Sequence, residues 1–309
     1  CMALTIICQN KDSKPWVEEL LRKDPSLDIR IWPNDGDRNE IVGALTWMHS
    51  EGALQGYPNL KWASSMGAGV DQFLNDAKVA AHIIITRLVT DQLAESMFEY
   101  VQTAVLYFFR QLDAYRNDQI QKVWRSLPAP SKLNLTIGIM GLGKLGKYLA
   151  EQFSNDGFQV VGWARSQKNI HNVTCYDQKA LPDFLAKTNM LVCMLPLTED
   201  TENILNADLF AQLPKGAHVI NVARGAHLVE QDLIDALDSE QLSGACLDVF
   251  RTEPLPNAHP FWSHQNILIT PHISSQTDPR EAIPQILENY NRLQNGETLL
   301  NLVDLERGY

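Results

Sequence analysis

The feature that most limits this chain is a short glycine pattern, Gly141-Leu142-Gly143-Lys144-Leu145-Gly146, set between an apolar run at 135–140 and a helix-like run at 147–153. Glycine at these three positions permits a tight turn, close backbone approach to a pyrophosphate, and close packing of helix on strand. The helix amino terminus that follows favours negative charge. Three spaced glycines also arise by chance, so the strand-turn-helix setting carries the inference of a dinucleotide site on a parallel sheet.

Short β-branched runs alternate with helical stretches from end to end, the pattern of parallel sheets covered by helices. Candidate strands at 4–8, 28–32, 44–48, 60–63 and 82–86, with a helix over 14–23, form a small open α/β unit. A second unit opens at 135–140 and continues through strands at 159–163, 190–194, 217–221, 244–247 and 267–269. A helix over 279–295 follows, and the polar tail to Tyr309 is expected to cross back to the first unit. A chain of 309 residues is too long for one typical core and suits two domains with a cleft between them.

Residues 91–117 read as one helix with two apolar stripes: Leu93, Met97, Tyr100, Ala104 and Phe108 on one, Phe98, Val101, Val105, Phe109 and Leu112 on the other. A helix of that kind is buried on more than one side, either between two domains of one chain or also against a second subunit. The Leu127-Pro128-Ala129-Pro130-Ser131 segment then breaks the pattern.

Apolar residues are 45% of the chain, yet no run approaches the roughly 18 that a membrane helix needs. The amino-terminal run Met2 to Cys8 precedes its first basic residue, Lys11, the reverse of a signal peptide, and reads as a buried strand. Cys1, ahead of Met2, reads as a cloning remnant. Five scattered cysteines without a zinc spacing read as reduced thiols in a cytoplasmic protein with no metal site. With 26 basic and 37 acidic residues the net charge is −11, which repels nucleic acid and anionic lipid. A phosphate-bearing ligand therefore needs a local cation.

One candidate follows the strand at 159–163. Enzymes that prefer NAD place an acidic residue about 20 positions beyond the glycine pattern, where it binds the ribose hydroxyls. Here that position is Ala164, followed by Arg165, Ser166 and Lys168, a set suited to a 2′-phosphate and thus to NADPH over NADH. A solvated turn with incidental charges is the alternative.

Two further constellations sit at strand ends. Gly67-Ala68-Gly69-Val70-Asp71 is either a simple glycine-rich turn or a set of exposed amides for a carboxylate. Arg224, Glu253 and His272 follow three strands of the second unit, at the edge where open α/β sheets bind ligands. Together they are chemically complementary: a guanidinium, a carboxylate and an imidazole.

With these pieces in view the chain resembles, essentially end to end, the D-isomer-specific 2-hydroxyacid dehydrogenases. The matching segments are the Gly67 and Gly141 loops, Asn221-Val222-Ala223-Arg224-Gly225, Leu247-Asp248-Val249-Phe250 leading to Glu253-Pro254-Leu255, and Thr270-Pro271-His272. The closing residues 304–309 and the tryptophan content resemble the bacterial group that reduces glyoxylate and hydroxypyruvate.

The resemblance implies an α/β fold of two open parallel-sheet domains. Residues 1–97 and 285–309 would form a flavodoxin-like substrate domain, and 98–284 a Rossmann-type NADP-binding domain. It implies that Arg224 clamps a small 2-oxo acid and that His272, held charged by Glu253, protonates the alkoxide as the nicotinamide delivers hydride. Amides of Ala68, Gly69 and Val70 would complete the carboxylate site. Leu142, Lys144 and Leu145 would line the pyrophosphate turn, Leu195 and Pro196 the adenosine side, and Ala223 and Asp248 would join the cofactor contacts, Asp248 at the carboxamide. Trp47, His49 and Trp124 are candidates for the substrate pocket, and a homodimer is implied. Within the family, phosphoglycerate- and pyruvate-directed enzymes are alternatives, as is a nucleotide-sensing scaffold resembling the family's corepressors. Glu253 stands where formate dehydrogenases carry glutamine.

Overall fold

The structure, a computed structural model of the chain, describes residues 2–9 and 12–304. The chain divides into two compact units, one over Cys1–Leu93 and Gln276–Tyr309, the other over Ala94–Ser275. The first holds strands β1 (Ala3–Cys8), β2 (Ile29–Ile31), β3 (Ile41–Trp47), β4 (Trp62–Ser65) and β5 (Ile84–Thr86). They pair in parallel in the order β2-β1-β3-β4-β5. That order is flavodoxin-like. The central strands are buried at nearly every position because a parallel sheet is covered on both faces. Helix α1 (Lys14–Lys23) carries Pro15 in its first turn, buries Trp16 and Leu20, and packs on the carboxy-terminal helix Pro279–Asn295. Beyond that helix, Leu302 pairs antiparallel with Thr86, and the Val303 N–H donates to Ile85 O at 2.9 Å. Cys1, Lys11 and the expected tail at 305–309 lie outside the described residues.

The second unit holds β6 (Thr136–Met140), β7 (Gln159–Trp163), β8 (Thr174–Tyr176), β9 (Met190–Cys193), β10 (Ala217–Asn221), β11 (Leu242–Leu247) and β12 (Ile267–Ile269). All pair in parallel in the order β12-β11-β10-β9-β6-β7-β8. The order reverses between β6 and β9, the switch point at which such sheets bind ligands beyond the strand carboxyl ends. One apolar cluster, around Phe184, Phe210 and Phe261, and another, around Phe108, Phe153 and Ile137, form the core of this unit. An open groove of about 570 Å³ at the opposite strand ends, lined by Thr136, Gln159 and Lys187 among others, holds none of the candidate groups.

Two sequence expectations change. The helix expected over 91–117 is two helices, Asp91–Phe109 and Leu112–Gln121, broken where Gln111 takes φ +58°. The apolar character drops at the break: the second helix leaves Leu112 and Ile120 exposed, whereas Val101, Ala104, Val105 and Phe108 of the first are buried. Strand β8 was not expected, being three half-covered residues at the sheet edge. Among the described residues no helix is long and apolar enough to cross a membrane, and no cluster of His, Cys, Asp and Glu could hold a metal ion.

Candidate active site

The glycine pattern sits at the carboxyl end of β6 and leads into α5 (Lys144–Asn155), with Gly143 as its N-cap. Each glycine answers a separate demand. Gly141 has φ +113°, and a Cβ there would stand 2.7 Å from the Met194 backbone. A Cβ on Gly146 would fall 1.9 Å from Gly141 O, so helix and turn touch backbone to backbone. Around Gly143 a Cβ would meet nothing within 4 Å, which leaves the first N–H groups of α5 open to a ligand. Lys144 is exposed, Leu145 half-buried, and Leu142 turns inward against Gly162. At the end of β7, Ala164 is buried with no carboxylate at that position, and Arg165, Ser166 and Lys168 are exposed. An anionic dinucleotide bearing a 2′-phosphate fits these features: open amides at the turn and exposed cations beyond β7.

Arg224, Glu253 and His272 all belong to the same unit and follow β10, β11 and β12. The His272 Nδ1 lies 2.8 Å from Glu253 Oε2, and Glu253 Oε1 accepts the Phe250 N–H at 2.9 Å. Burial pushes the Glu253 carboxyl up, but the hydrogen bonds from His272 and Phe250 and the charge of Arg224 outweigh it and hold the group below its ordinary range. His272 has φ +55°, a conformation that a non-glycine residue adopts only when its surroundings fix it. They do so here. The His272 N–H donates to Asp248 O at 2.9 Å, and the Asp248 carboxylate accepts Thr270 Oγ1 at 2.6 Å and the N–H groups of Ile273 and Ser274 at 2.8 Å each. Thr270 Oγ1 in turn meets Tyr100 Oη at 2.5 Å. Arg224 is set by Asn221, whose side-chain amide donates to Arg224 O at 3.0 Å. Gly225 follows because a Cβ there would lie 1.9 Å from the Phe250 carbonyl carbon, where the loops after β10 and β11 touch.

The Asp248 side chain is wholly buried, and its carboxylate holds the His272 loop. Two expected contacts are placed elsewhere. Trp124 is fully solvent-exposed, two residues after Lys122 takes φ +57° at the end of its helix. His49 has a fully buried side chain 3.5 Å from Asp76 and stacks obliquely on Phe73, so it belongs to the interior of the first unit; burial pushes its pKa down. The Val70 side chain is core, and the group expected at the site is its backbone N–H, just ahead of the helix Asp71–Leu74. Trp47 packs its ring on Gly67, where a Cβ would stand 2.7 Å from it, and Ser65 Oγ donates to Gly69 O at 2.7 Å. Ala68 and Gly69 are half-exposed at the carboxyl end of β4. Leu195 is buried, Pro196 half-buried, and the Ala223 carbonyl accepts from the Arg224 guanidinium at 2.7 Å.

Residues 102–274 match the family described as D-isomer specific 2-hydroxyacid dehydrogenase, NAD binding domain. The chain belongs to the D-isomer-specific 2-hydroxyacid dehydrogenase family. It is 41% identical over 306 residues to a Serratia proteamaculans protein named glyoxylate/hydroxypyruvate reductase A, covering 96% of this chain and 97% of that one. A protein of the same name from Yersinia enterocolitica is 40% identical over 304 residues, with the same coverage. Among solved structures, a family member from Xanthobacter autotrophicus Py2 in complex with NADPH and MES superposes with TM-score 0.94 at 38% identity, covering 99% of both chains. The NADPH-dependent glyoxylate/hydroxypyruvate reductase from Sinorhizobium meliloti, in complex with NADP and sulfate, gives TM-score 0.93 at 34% identity, covering 99% and 100%.

In this dehydrogenase several site-forming residues escaped the sequence reading. Asn221 lay inside a quoted motif with no role attached, although its position three residues before Arg224 suits a side-chain bond back to that backbone. Tyr100 was read only as part of an apolar stripe, because its hydroxyl partner lies 170 positions away.

Proposed function

We propose that this dehydrogenase reduces glyoxylate to glycolate and hydroxypyruvate to D-glycerate with NADPH. The observation that carries the reading is the Glu253–His272 contact of 2.8 Å in one unit with Arg224 and the open glycine turn. Names borne by relatives along nearly the whole chain support it, as do NADPH and NADP in the complexes of two similar structures.

We read the second unit as dinucleotide-binding and the first as substrate-binding, with Ala68 and Gly69 amides directed to a carboxylate. The amides around Gly143, with Lys144, would hold the pyrophosphate, and Arg165, Ser166 and Lys168 the 2′-phosphate. NADPH, when bound, supplies a hydride to the carbonyl carbon. Arg224 grips the substrate carboxylate and carbonyl oxygen through paired N–H donors and draws charge toward that oxygen. His272 gives the developing alkoxide its proton from Nε2, the nitrogen that Glu253 does not engage. Glu253 fixes the ring plane and stays ionised while it does so, as its lowered pKa requires. The test is Arg224→Lys, which keeps charge but cannot present two parallel donors. It should lower kcat/KM for glyoxylate by about 100-fold. Near-wild-type kinetics would remove Arg224 from the clamp.

We also propose a homodimer and a cytoplasmic setting. Ile120 is 72% exposed, Trp124 102% and Leu133 76%, a set of apolar groups in one unit that a second copy would cover. Light scattering should give a dimer that Ile120→Lys with Trp124→Glu converts to monomer; an unchanged mass would move the interface elsewhere. The four described cysteines are unbridged thiols, which suits a reducing compartment.

A further inference from the structure

One polar residue beside Arg224 has no part in the chemistry proposed above. His227 closes the short 3-10 turn Gly225–His227 and is wholly buried. A buried imidazole is costly unless its nitrogens are paired, and both of these are. Nε2 stands 3.2 Å from Pro196 O, a carbonyl that only accepts, so a proton on Nε2 is donated there. Nδ1 faces the Arg224 backbone, 3.2 Å from its N–H and 3.0 Å from its carbonyl oxygen.

The two partners are not equivalent parts of the fold. Arg224 opens the turn after β10, while Pro196 belongs to the segment after β9, beside the switch point of the sheet. Thr201 Oγ1 donates to the same Pro196 oxygen at 2.7 Å, and the Leu205 N–H donates to His227 O at 2.9 Å. The 196–205 segment is thus tied to the His227 ring and backbone together. A five-membered ring with nitrogens on two edges reaches both loops. Asparagine reproduces only the inner nitrogen, and glutamine only the outer one.

We propose that His227 is a positioning residue that locks the Arg224 backbone to the Pro196 segment, so that the substrate-gripping guanidinium holds a fixed place beside the dinucleotide turn. This rests on the reading of Arg224 as the clamp. It requires His227 to act on substrate affinity and turnover through Arg224, with little effect on the cofactor alone.

The experiment pairs His227→Gln and His227→Asn in the full-length protein with Arg224→Lys, measuring steady-state kinetics with glyoxylate and NADPH affinity by fluorescence titration. His227→Gln withdraws the inner polar atom from the Arg224 backbone and should raise the glyoxylate KM about 10-fold, with the NADPH Kd within about twofold of wild type. His227→Asn restores a polar atom facing that backbone and should fall between wild type and the glutamine variant, with a KM about threefold above wild type. In the Arg224→Lys background His227→Gln should add no further loss in kcat/KM, because the two act as one unit. Additive losses, or an NADPH Kd that worsens as much as KM, would overturn the proposal. If the glutamine variant does not fold, the asparagine variant decides: a raised KM with intact NADPH affinity supports the lock, and an unchanged KM refutes it. A near-wild-type Arg224→Lys enzyme would sink the clamp itself. A crippled Arg224→Lys with both His227 variants unaffected would sink only the lock.

Discussion

Two glycine-rich loops end strands of the two sheets, Gly67 to Val70 after β4 and Gly141 to Gly146 after β6, and glycine serves them for different reasons. At Gly67 the space is taken by a side chain, the ring of Trp47, which can swing. At Gly141 and Gly146 it is taken by backbone, Met194 in one case and Gly141 itself in the other, which cannot move without moving β9 or the turn. The first loop runs into a helix of 4 residues, the second into one of 12. Only the second therefore joins a rigid turn to a helix long enough for a substantial dipole at its open amides. Backbone crowding thus makes glycine obligatory in the second loop, whereas in the first a side chain could give way.

The largest effect should come from Gly141→Ala, which meets both an unfavourable φ and a backbone collision. NADPH affinity should fall about 100-fold or more by fluorescence titration. An unchanged Kd would detach this loop from the cofactor. Next in size is cofactor choice. Ala164→Asp combined with Arg165→Ser should lower the NADPH-to-NADH ratio of kcat/KM by about 10- to 100-fold. A wild-type enzyme that prefers NADH would overturn the role given to Arg165. A smaller effect should follow Gly67→Ala, since Trp47 can yield: glyoxylate KM up about threefold, NADPH Kd unmoved. If Gly67→Ala proved worse than Gly141→Ala, the contrast between side-chain and backbone crowding would fail.

The smallest effect concerns pH. The folded Glu253 carboxyl titrates below its ordinary 4.5, so its pairing stabilises the protein fully above that value and is lost as pH falls through the lower folded one. The Tm gap between wild type and Glu253→Gln should be complete above pH 4.5 and shrink in more acid solution. A gap independent of pH would show that Glu253 contributes packing alone.

The contrast between the loops also marks what the sequence could reveal. Parallel-sheet architecture was legible because buried strands such as β7 and β10 carry short β-branched runs at their centres, found over the same residues in sequence and structure. The Glu253–His272 pairing was legible because the family resemblance implied it and both residues follow strands of one unit. Side chains that turn away from the site were not. Asp248 and His49 carry chemistry by type, yet the fold spends them inside, one on the His272 loop and the other against Asp76. The break at Gln111 was invisible to periodicity because no glycine or proline marks it. His227 was missed for a related reason: a lone histidine in an apolar stretch has no meaning until both of its partners are placed.

The central claim is hydride and proton transfer to a 2-oxo acid, with the proton from His272. The direct measurement is loss of NADPH absorbance on adding glyoxylate or hydroxypyruvate to wild type and to His272→Asn, alongside NADPH titration of both. Robust turnover by wild type, a kcat lowered by roughly 100-fold or more in the variant, and equal NADPH affinity are the results predicted. No turnover of either acid by wild type, or a variant as active as wild type, would contradict the account.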